Sequence, residues 1–294
     1  MSYIQGRKTI GSRIGMAVTY IILFIFTFLA IYPLFWLVMS SLKTTTEYQL
    51  NHLGFPGTTL KPGTNEHFKA TFGNFTYAWS KGNFAVLTLN SILYTSVTVA
   101  ASLLLSLMSG FAFAKLRSKA TKWMYGAYVI GLLLTLQSIM VPLFLMVNWT
   151  GLYDTRLGVL IPYIGIALPM AVYLCTEFIR SIPNALIESA RIDGASFLTI
   201  FAKIIVPMAK PVATTTAILT VSGTWNEFML VNILTSKDST KSLPVGIKKF
   251  AGQLNSDYGR QFAALVIGLA PMLAFYLIFR KEITKGVAAG AVKG

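Results

Sequence analysis

Cysteine and histidine are scarce in this chain of 294 residues, which contains only Cys175, His52 and His67. A single cysteine excludes an internal disulfide framework, and the apolar stretch around Cys175 indicates a small packing residue. The two histidines fall in one polar stretch without convergent partner residues, so we interpret them as solvated side chains rather than metal ligands. The sequence therefore predicts no metal site.

Motifs for chemistry are also missing. The chain has no G-x-x-x-x-G-K-[ST] loop, so it cannot bind ATP by that route. Only Glu227 and Glu177 lie in or at the end of apolar stretches, which leaves no series of buried acids for a proton relay. No nucleophile stands with a base, as a membrane-embedded enzyme would require. We predict a chain that is not an enzyme and binds no cofactor, and we expect the energy for any transport to come from elsewhere.

Charged residues make up only 12% of the chain, whereas 54% of its residues are hydrophobic and its mean hydropathy is +0.64. These values indicate a membrane protein, in which a bilayer core of about 30 Å is crossed by roughly 20 helical residues. Six charge-free stretches have suitable lengths: 14–42, 82–114, 123–153, 157–176, 211–226 and 261–279. The fifth would have to include Glu227 to reach Leu234. We predict an all-α polytopic fold with six transmembrane helices within residues 14–280.

The distribution of Lys and Arg predicts the orientation. With six spans, both termini lie on one side together with 15 of the 25 basic residues, against 10 on the other side. Because basic residues favour the cytoplasmic side, we expect cytoplasmic tails at 1–13 and 281–294, and outer loops at 43–81 and 235–260. The first apolar run is too long for a signal-peptide core and is interpreted as a retained span. The net charge of +15 is assigned to contact with anionic lipid rather than nucleic acid.

One polar segment, residues 183–207, interrupts the apolar stretches on the predicted cytoplasmic side. Pro183 suits the first position of a helix, with Ser181 as a possible cap, and Gly194 supplies a left-handed residue to end that helix. Ser196 would cap a second helix that continues to Ile205 and stops before Pro207. The residues alone leave two interpretations open: an amphipathic helix at the membrane interface, or a docking surface for another protein.

The stretch "ESARIDGASFLTIFAKIIVP" from Glu188 resembles the cytoplasmic loop signature of ABC importer permeases, E-A-A, three residues, G, nine residues, I-x-L-P. Ser189 and Val206 depart from that pattern by small changes in side-chain volume. The stretches "NSILYTS", "GFAFAKL", "WNEF", "SLPVGI" and "KGVAAGAVKG" resemble, in the same order, the carbohydrate branch of this family, typified by the second membrane subunit of the maltose importer. The resemblance implies a type I ABC importer permease in a bacterial or archaeal cell membrane.

The resemblance also implies partners and site residues. In that family a cytoplasmic coupling loop, here residues 179–210, docks on an ATPase dimer that binds ATP and Mg, and a second permease completes a heterodimer. The coupling residues implied are Glu188, Ser189, Ala190, Arg191, Asp193, Gly194 and Ala195. The C-terminal tail, with Gly290, Ala291, Val292 and Lys293, is expected between the ATPase subunits, against the alternative of a frayed terminus. The outer loops would meet an extracytoplasmic solute-binding protein, against the alternative of solvated connectors.

The path of the expected carbohydrate, an oligosaccharide, is less defined. Four polar residues in or at the ends of spans are candidates, although each could instead hydrogen-bond between helices: Asn90, Asn148, Asn226 and Glu227. Two other functions stay open, a stand-alone secondary transporter or channel and a membrane-embedded enzyme. The missing acids and the docking loop count against the first, and the missing ligand clusters count against the second.

Overall fold

The computed structural model describes residues 10–116, 118–250 and 257–291, and most of them are helical. The α-helices follow the chain in this order: α1 (Ile10–Ser41), α2 (Thr45–Leu50), α3 (Gly73–Lys81), α4 (Phe84–Lys115), α5 (Lys119–Gly131), α6 (Leu136–Trp149), α7 (Arg156–Arg180), α8 (Asn184–Ile192), α9 (Phe197–Ile200), α10 (Val206–Met208), α11 (Lys210–Asn226), α12 (Met229–Leu234), α13 (Leu243–Ile247) and α14 (Tyr258–Ala291). A π-helical turn, Phe201–Ile205, joins α9 to α10, and a 3₁₀ turn, Lys248–Phe250, follows α13. The predicted all-α fold is confirmed.

Four helices are long and apolar enough to cross a membrane: α1, α4, α7 and α14. Two bent pairs raise the number to six if each pair forms one span. In the first pair, α5 and α6 meet at 108°, and in the second, the helical stretch Phe197–Met208 meets α11 at 72°. The charge-free stretch 123–153 is therefore not one straight helix, because residues 132–135 break it into α5 and α6.

The described residues fall in two compact units, one within 1–78 and 250–267, the other within 79–249 and 268–294. The first unit has an aromatic cluster in which Tyr48 of α2 packs against Trp36 and Phe262, with ring centroids 6.0 and 4.9 Å apart. Nearby, the buried Asn74 side chain donates to the main-chain oxygens of Ser41 and Lys43, each at 2.8 Å. These contacts fix the end of α1 and hold residues 43–78 within this unit.

The second unit has two apolar cores. One joins α4, α6, α7 and α12 through buried residues that include Tyr94, Val159, Tyr163 and Leu230. The other lies where α4, α7 and loop 179–210 meet, and includes Phe111, Ile179, Ile187, Ile200 and Ile205. Both cores are built from aromatic and branched side chains at helical spacing, so burial of apolar area holds the loop to the helices.

The expected end of the second loop helix at Ile205 is wrong, since helical backbone continues through Pro207 to Met208. Proline normally breaks a helix because its ring collides with the carbonyl group four residues earlier. Here the preceding turn is π-helical, and Val206 N–H donates to the Phe201 oxygen five residues back. The extra residue in that turn shifts the carbonyl groups and accommodates the ring.

Candidate functional site

Loop 179–210 contains the helix–glycine–helix corner expected from the sequence. Gly194 has φ +78°, Ala195 N–H donates to the Ala190 oxygen at 2.9 Å, and Gly194 N–H donates to the Arg191 oxygen at 3.0 Å. These two bonds define a Schellman motif, which satisfies carbonyl groups at the end of α8. The left-handed conformation predicted for Gly194 is confirmed.

The caps of the two loop helices differ from each other. Ser196 Oγ accepts from Thr199 N–H at 3.2 Å and caps α9, as expected. Ser181 does not cap α8, because its hydroxyl donates to the Phe178 oxygen at 2.7 Å within the last turn of α7. Pro183 is the N-cap of α8 and offers no side-chain acceptor. The prediction of Ser181 as the cap is therefore wrong.

The corner has a buried side and an exposed side. Ile187 is buried in the core, and Ala190 and Ala195 pack against it. The other residues implied by the resemblance are exposed: Glu188, Ser189, Arg191, Asp193 and Gly194. No atom lies within 4 Å of a Cβ placed on Gly194. The corner thus presents small and charged groups on a firmly packed base.

Two exposed apolar residues beside the corner were missed by the sequence reasoning. Ile192 is 86% exposed and Leu198 is 70% exposed, on either side of Gly194. Both side chains therefore bury little within this chain, although each stands close to charged residues of the corner. The sequence carried this information, because Ile192 lies away from the apolar face of α8 that includes Ile187, and Leu198 lies away from the apolar face of α9 that includes Ile200.

A second organised region is the turn between α6 and α7 with the start of segment 235–260. Asp154, whose side chain is 9% exposed, accepts through Oδ1 from Ser236 N–H, Lys237 N–H and the Thr240 hydroxyl at 2.9, 3.0 and 2.6 Å. Partial burial acts to raise the pKa of Asp154, but the bond from Thr240 and the two main-chain bonds outweigh it and lower the pKa to about 2. Asp154 is therefore ionised and holds this segment in place.

The same segment is fixed by α4. The Tyr94 hydroxyl donates to the Thr240 oxygen at 2.6 Å, and Asn90 Nδ2 donates to the oxygens of Ser239 and Lys241 at 2.8 and 3.0 Å. Asn90 is 1% exposed. Its amide hydrogens are directed at main-chain carbonyl groups of the non-helical stretch between α12 and α13, not at another helix.

The remaining path candidates occupy different surroundings. Asn148 and Asn226 are exposed, and Asn226 Nδ2 donates to the Ser222 oxygen one turn earlier. Glu227 lines a cavity of about 320 Å³ between α7 and α11, where it accepts from the Tyr163 hydroxyl at 2.9 Å. Its Oε1 also accepts from Leu230 N–H at 2.8 Å, at the start of α12. The four candidates therefore do not converge on one site.

The tail candidates are only partly described. Gly290 and Ala291 lie in the last turn of α14, whereas Val292 and Lys293 lie outside the described residues.

A helical fold with four to six candidate spans, interrupted by a polar corner on a packed base, defines the class of polytopic membrane proteins. The family model of the binding-protein-dependent transport system inner membrane component matches residues 1–281. The chain belongs to this family, whose members are permease subunits of ABC transporters.

Similar proteins carry permease names. The multiple sugar-binding transport system permease protein MsmG of Streptococcus mutans is 34% identical over 280 residues, which cover 93% of this chain and 96% of MsmG. The trehalose transport system permease protein SugB of Mycobacterium tuberculosis is 33% identical over 267 residues, which cover 90% of this chain and 93% of SugB.

Among solved structures, a chain from the crystal structure of a bacterial ABC transporter involved in the import of the acidic polysaccharide alginate has the same fold. The TM-score is 0.78 at 23% identity, over 94% of this chain and 99% of that one.

Proposed function

We propose that this chain is the membrane-spanning permease subunit of an ATP-driven importer of a carbohydrate, with an oligosaccharide as the expected cargo. It works as a heterodimer with a second permease, beside a cytoplasmic ATPase dimer that holds ATP and Mg and a solute-binding protein on the outer side. The sugar-permease names of MsmG and SugB, each about a third identical over nearly the whole chain, support the substrate class.

The exposed corner of loop 179–210 carries the proposal. A corner that transmits force to the spans must be small at its contact surface and rigid at its base. Gly194 and Ser189 provide the first property, and the buried Ile187 with the Schellman bonds provides the second. Glu188 and Asp193 offer carboxylates for charge-assisted hydrogen bonds to the ATPase. In this arrangement both termini are cytoplasmic, and segments 43–81 and 235–260 face the binding protein.

The experiment compares Gly194→Val with Gly151→Val in the complete complex. Both glycines have positive φ and open space around an added Cβ, so the two changes share a backbone cost of roughly 1–2 kcal/mol. We expect Gly194→Val to reach the membrane but to lose association with the ATPase or stimulation of its activity, while Gly151→Val keeps both.

Wild-type uptake and ATPase stimulation in Gly194→Val would refute the role of loop 179–210. Solute uptake by the chain in cells that lack the ATPase would support a stand-alone transporter or channel instead.

A further inference from the structure

Lys115 is the last residue of α4, and its side chain ends at the junction between α7 and α8. Its Nζ donates to the main-chain oxygen of Ile182 at 2.6 Å and to Asn184 Oδ1 at 2.9 Å. Ile182 is the second residue after α7 and Asn184 is the first residue of α8. One ammonium group therefore bonds to both sides of Pro183.

The junction needs such a support because Pro183 interrupts the helical hydrogen bonds. Proline has no N–H, and Pro183 has ψ 133°, so the backbone turns here and α8 cannot continue α7 as one rigid helix. An unsupported junction of this kind is a place where a displacement of α8 would be absorbed. A charge-assisted bond to each side of the turn restricts that motion.

The other end of loop 179–210 also meets the last turns of α4. The Phe111 ring, 1% exposed, stacks on the rings of Phe197 and Phe201 with centroids 4.5 and 5.8 Å apart. Phe111 and Lys115 are four residues apart and so lie on one face of α4. The same helix face thus contacts the loop before the glycine corner through Lys115 and after it through Phe111.

We propose that Lys115 is a positioning residue that makes the junction around Pro183 rigid, so that a displacement of α8 is passed to the cytoplasmic end of α4. The proposal rests on the proposed function, because it assumes that an ATPase moves α8. Apolar stacking at Phe111 resists separation, whereas the bonds from Lys115 fix direction as well as distance. Lys115 therefore determines how α4 follows the loop.

The test uses the purified complete complex, with its ATPase dimer trapped by Mg-ATP and vanadate, and needs no knowledge of the sugar. Hydrogen–deuterium exchange is measured in loop 179–210 and in the last two turns of α4. In the wild type, trapping should change exchange in both regions. In Lys115→Met, which keeps most of the length of the side chain without its donors, the loop should still respond, while the response of α4 falls roughly tenfold.

Three further variants make the result specific. Lys115→Arg keeps the charge and the donors and should retain most of the α4 response. Asn184→Ala removes one acceptor from an exposed position and should lower that response about threefold. Lys122→Met removes an exposed charge from the neighbouring helix and should behave as the wild type.

A wild-type α4 response in Lys115→Met, or an arginine variant as defective as the methionine variant, would overturn the proposal. If Lys115→Met fails to assemble, an unchanged response in Asn184→Ala would overturn it as well. Failure of the proposed function is distinguishable, because then trapping would leave loop 179–210 itself unchanged in the wild type.

Discussion

Gly110 of α4 lies so close to Cys175 of α7 that a Cβ atom on Gly110 would stand 3.0 Å from the Cys175 Cβ and 3.1 Å from its main-chain carbon. Contacts with backbone atoms cannot be relieved by a rotamer change, so the two helices must separate to admit any side chain. The close approach fixes α4 to α7 immediately beside loop 179–210.

We therefore expect Gly110→Ala to destabilise the protein by about 1–3 kcal/mol, although alanine is the better helix former. Thermal unfolding of the purified chain in detergent measures this effect. Gly165→Ala in α7 is the matched control, because no atom lies within 4 Å of its added Cβ. Equal stability of the two variants would contradict the close packing.

Asp154 should make the start of segment 235–260 sensitive to acid. Because its pKa in the folded protein is about 2, below the ordinary value of 3.8, ionised Asp154 stabilises the fold above about pH 4. This contribution is lost as the pH falls toward 2. Asp154→Asn should be less stable than the wild type at pH 6, and the difference should shrink at pH 3, as measured by hydrogen exchange at residues 236–240. A difference independent of pH would be inconsistent with an ionised Asp154.

Ile192 should contribute to ATPase binding without contributing to the fold. At 86% exposure it buries little in this chain, so Ile192→Ser should leave thermal unfolding within about 0.5 kcal/mol of the wild type. Loss of a buried apolar contact in the complex should weaken ATPase association by roughly 1–3 kcal/mol. The affinity of the ATPase dimer for the permease in nanodiscs measures this change. Leu133→Ser in the α5–α6 break, at a similarly exposed residue, is the control. Equal ATPase affinity in the two variants would remove Ile192 from the contact.

We expect the main role of Glu227 to be stabilising the start of α12, rather than lining a solute path. Glu227→Ala leaves Leu230 N–H and the Tyr163 hydroxyl without their acceptor, so we expect a loss of about 1–3 kcal/mol in the free energy of unfolding. Asn226→Ala should cost less than about 0.5 kcal/mol, because that side chain is exposed and bonds only within its own helix. Chemical unfolding in detergent compares the two, and equal losses would show that the carboxylate has no special role.

Local rules predicted the corner of loop 179–210 well. Gly194 and Ser196 adopt the expected conformations because each is determined by its own backbone preference and its nearest neighbours. The same rules gave the wrong cap for α8, because the Ser181 hydroxyl donates to the Phe178 oxygen in the preceding turn. Where the competing partner lies within four residues, the sequence alone leaves the choice open.

Hydropathy predicted where apolar helices occur but not where they bend. The break at residues 132–135 lies in the apolar stretch Leu132–Leu133–Leu134–Thr135, which contains neither charge nor proline. A sliding average of residue polarity does not detect such a bend of 108°. Nor does it indicate the partners of Asn90, which lie about 150 positions away in the chain.

The π-helical turn at Phe201–Ile205 takes up one extra residue without changing which face of the helix is buried. Ile200 and Ile205 are both fully buried although five residues separate them, and in a regular α-helix five residues would turn the second side chain about 140° away from the first. The wider turn keeps both on one face, and Ala209 and Val212 continue that face into α11. Deleting one residue from this turn would leave a regular α-helical turn with the same buried face, and the ring of Pro207 would then collide with the carbonyl group four residues earlier.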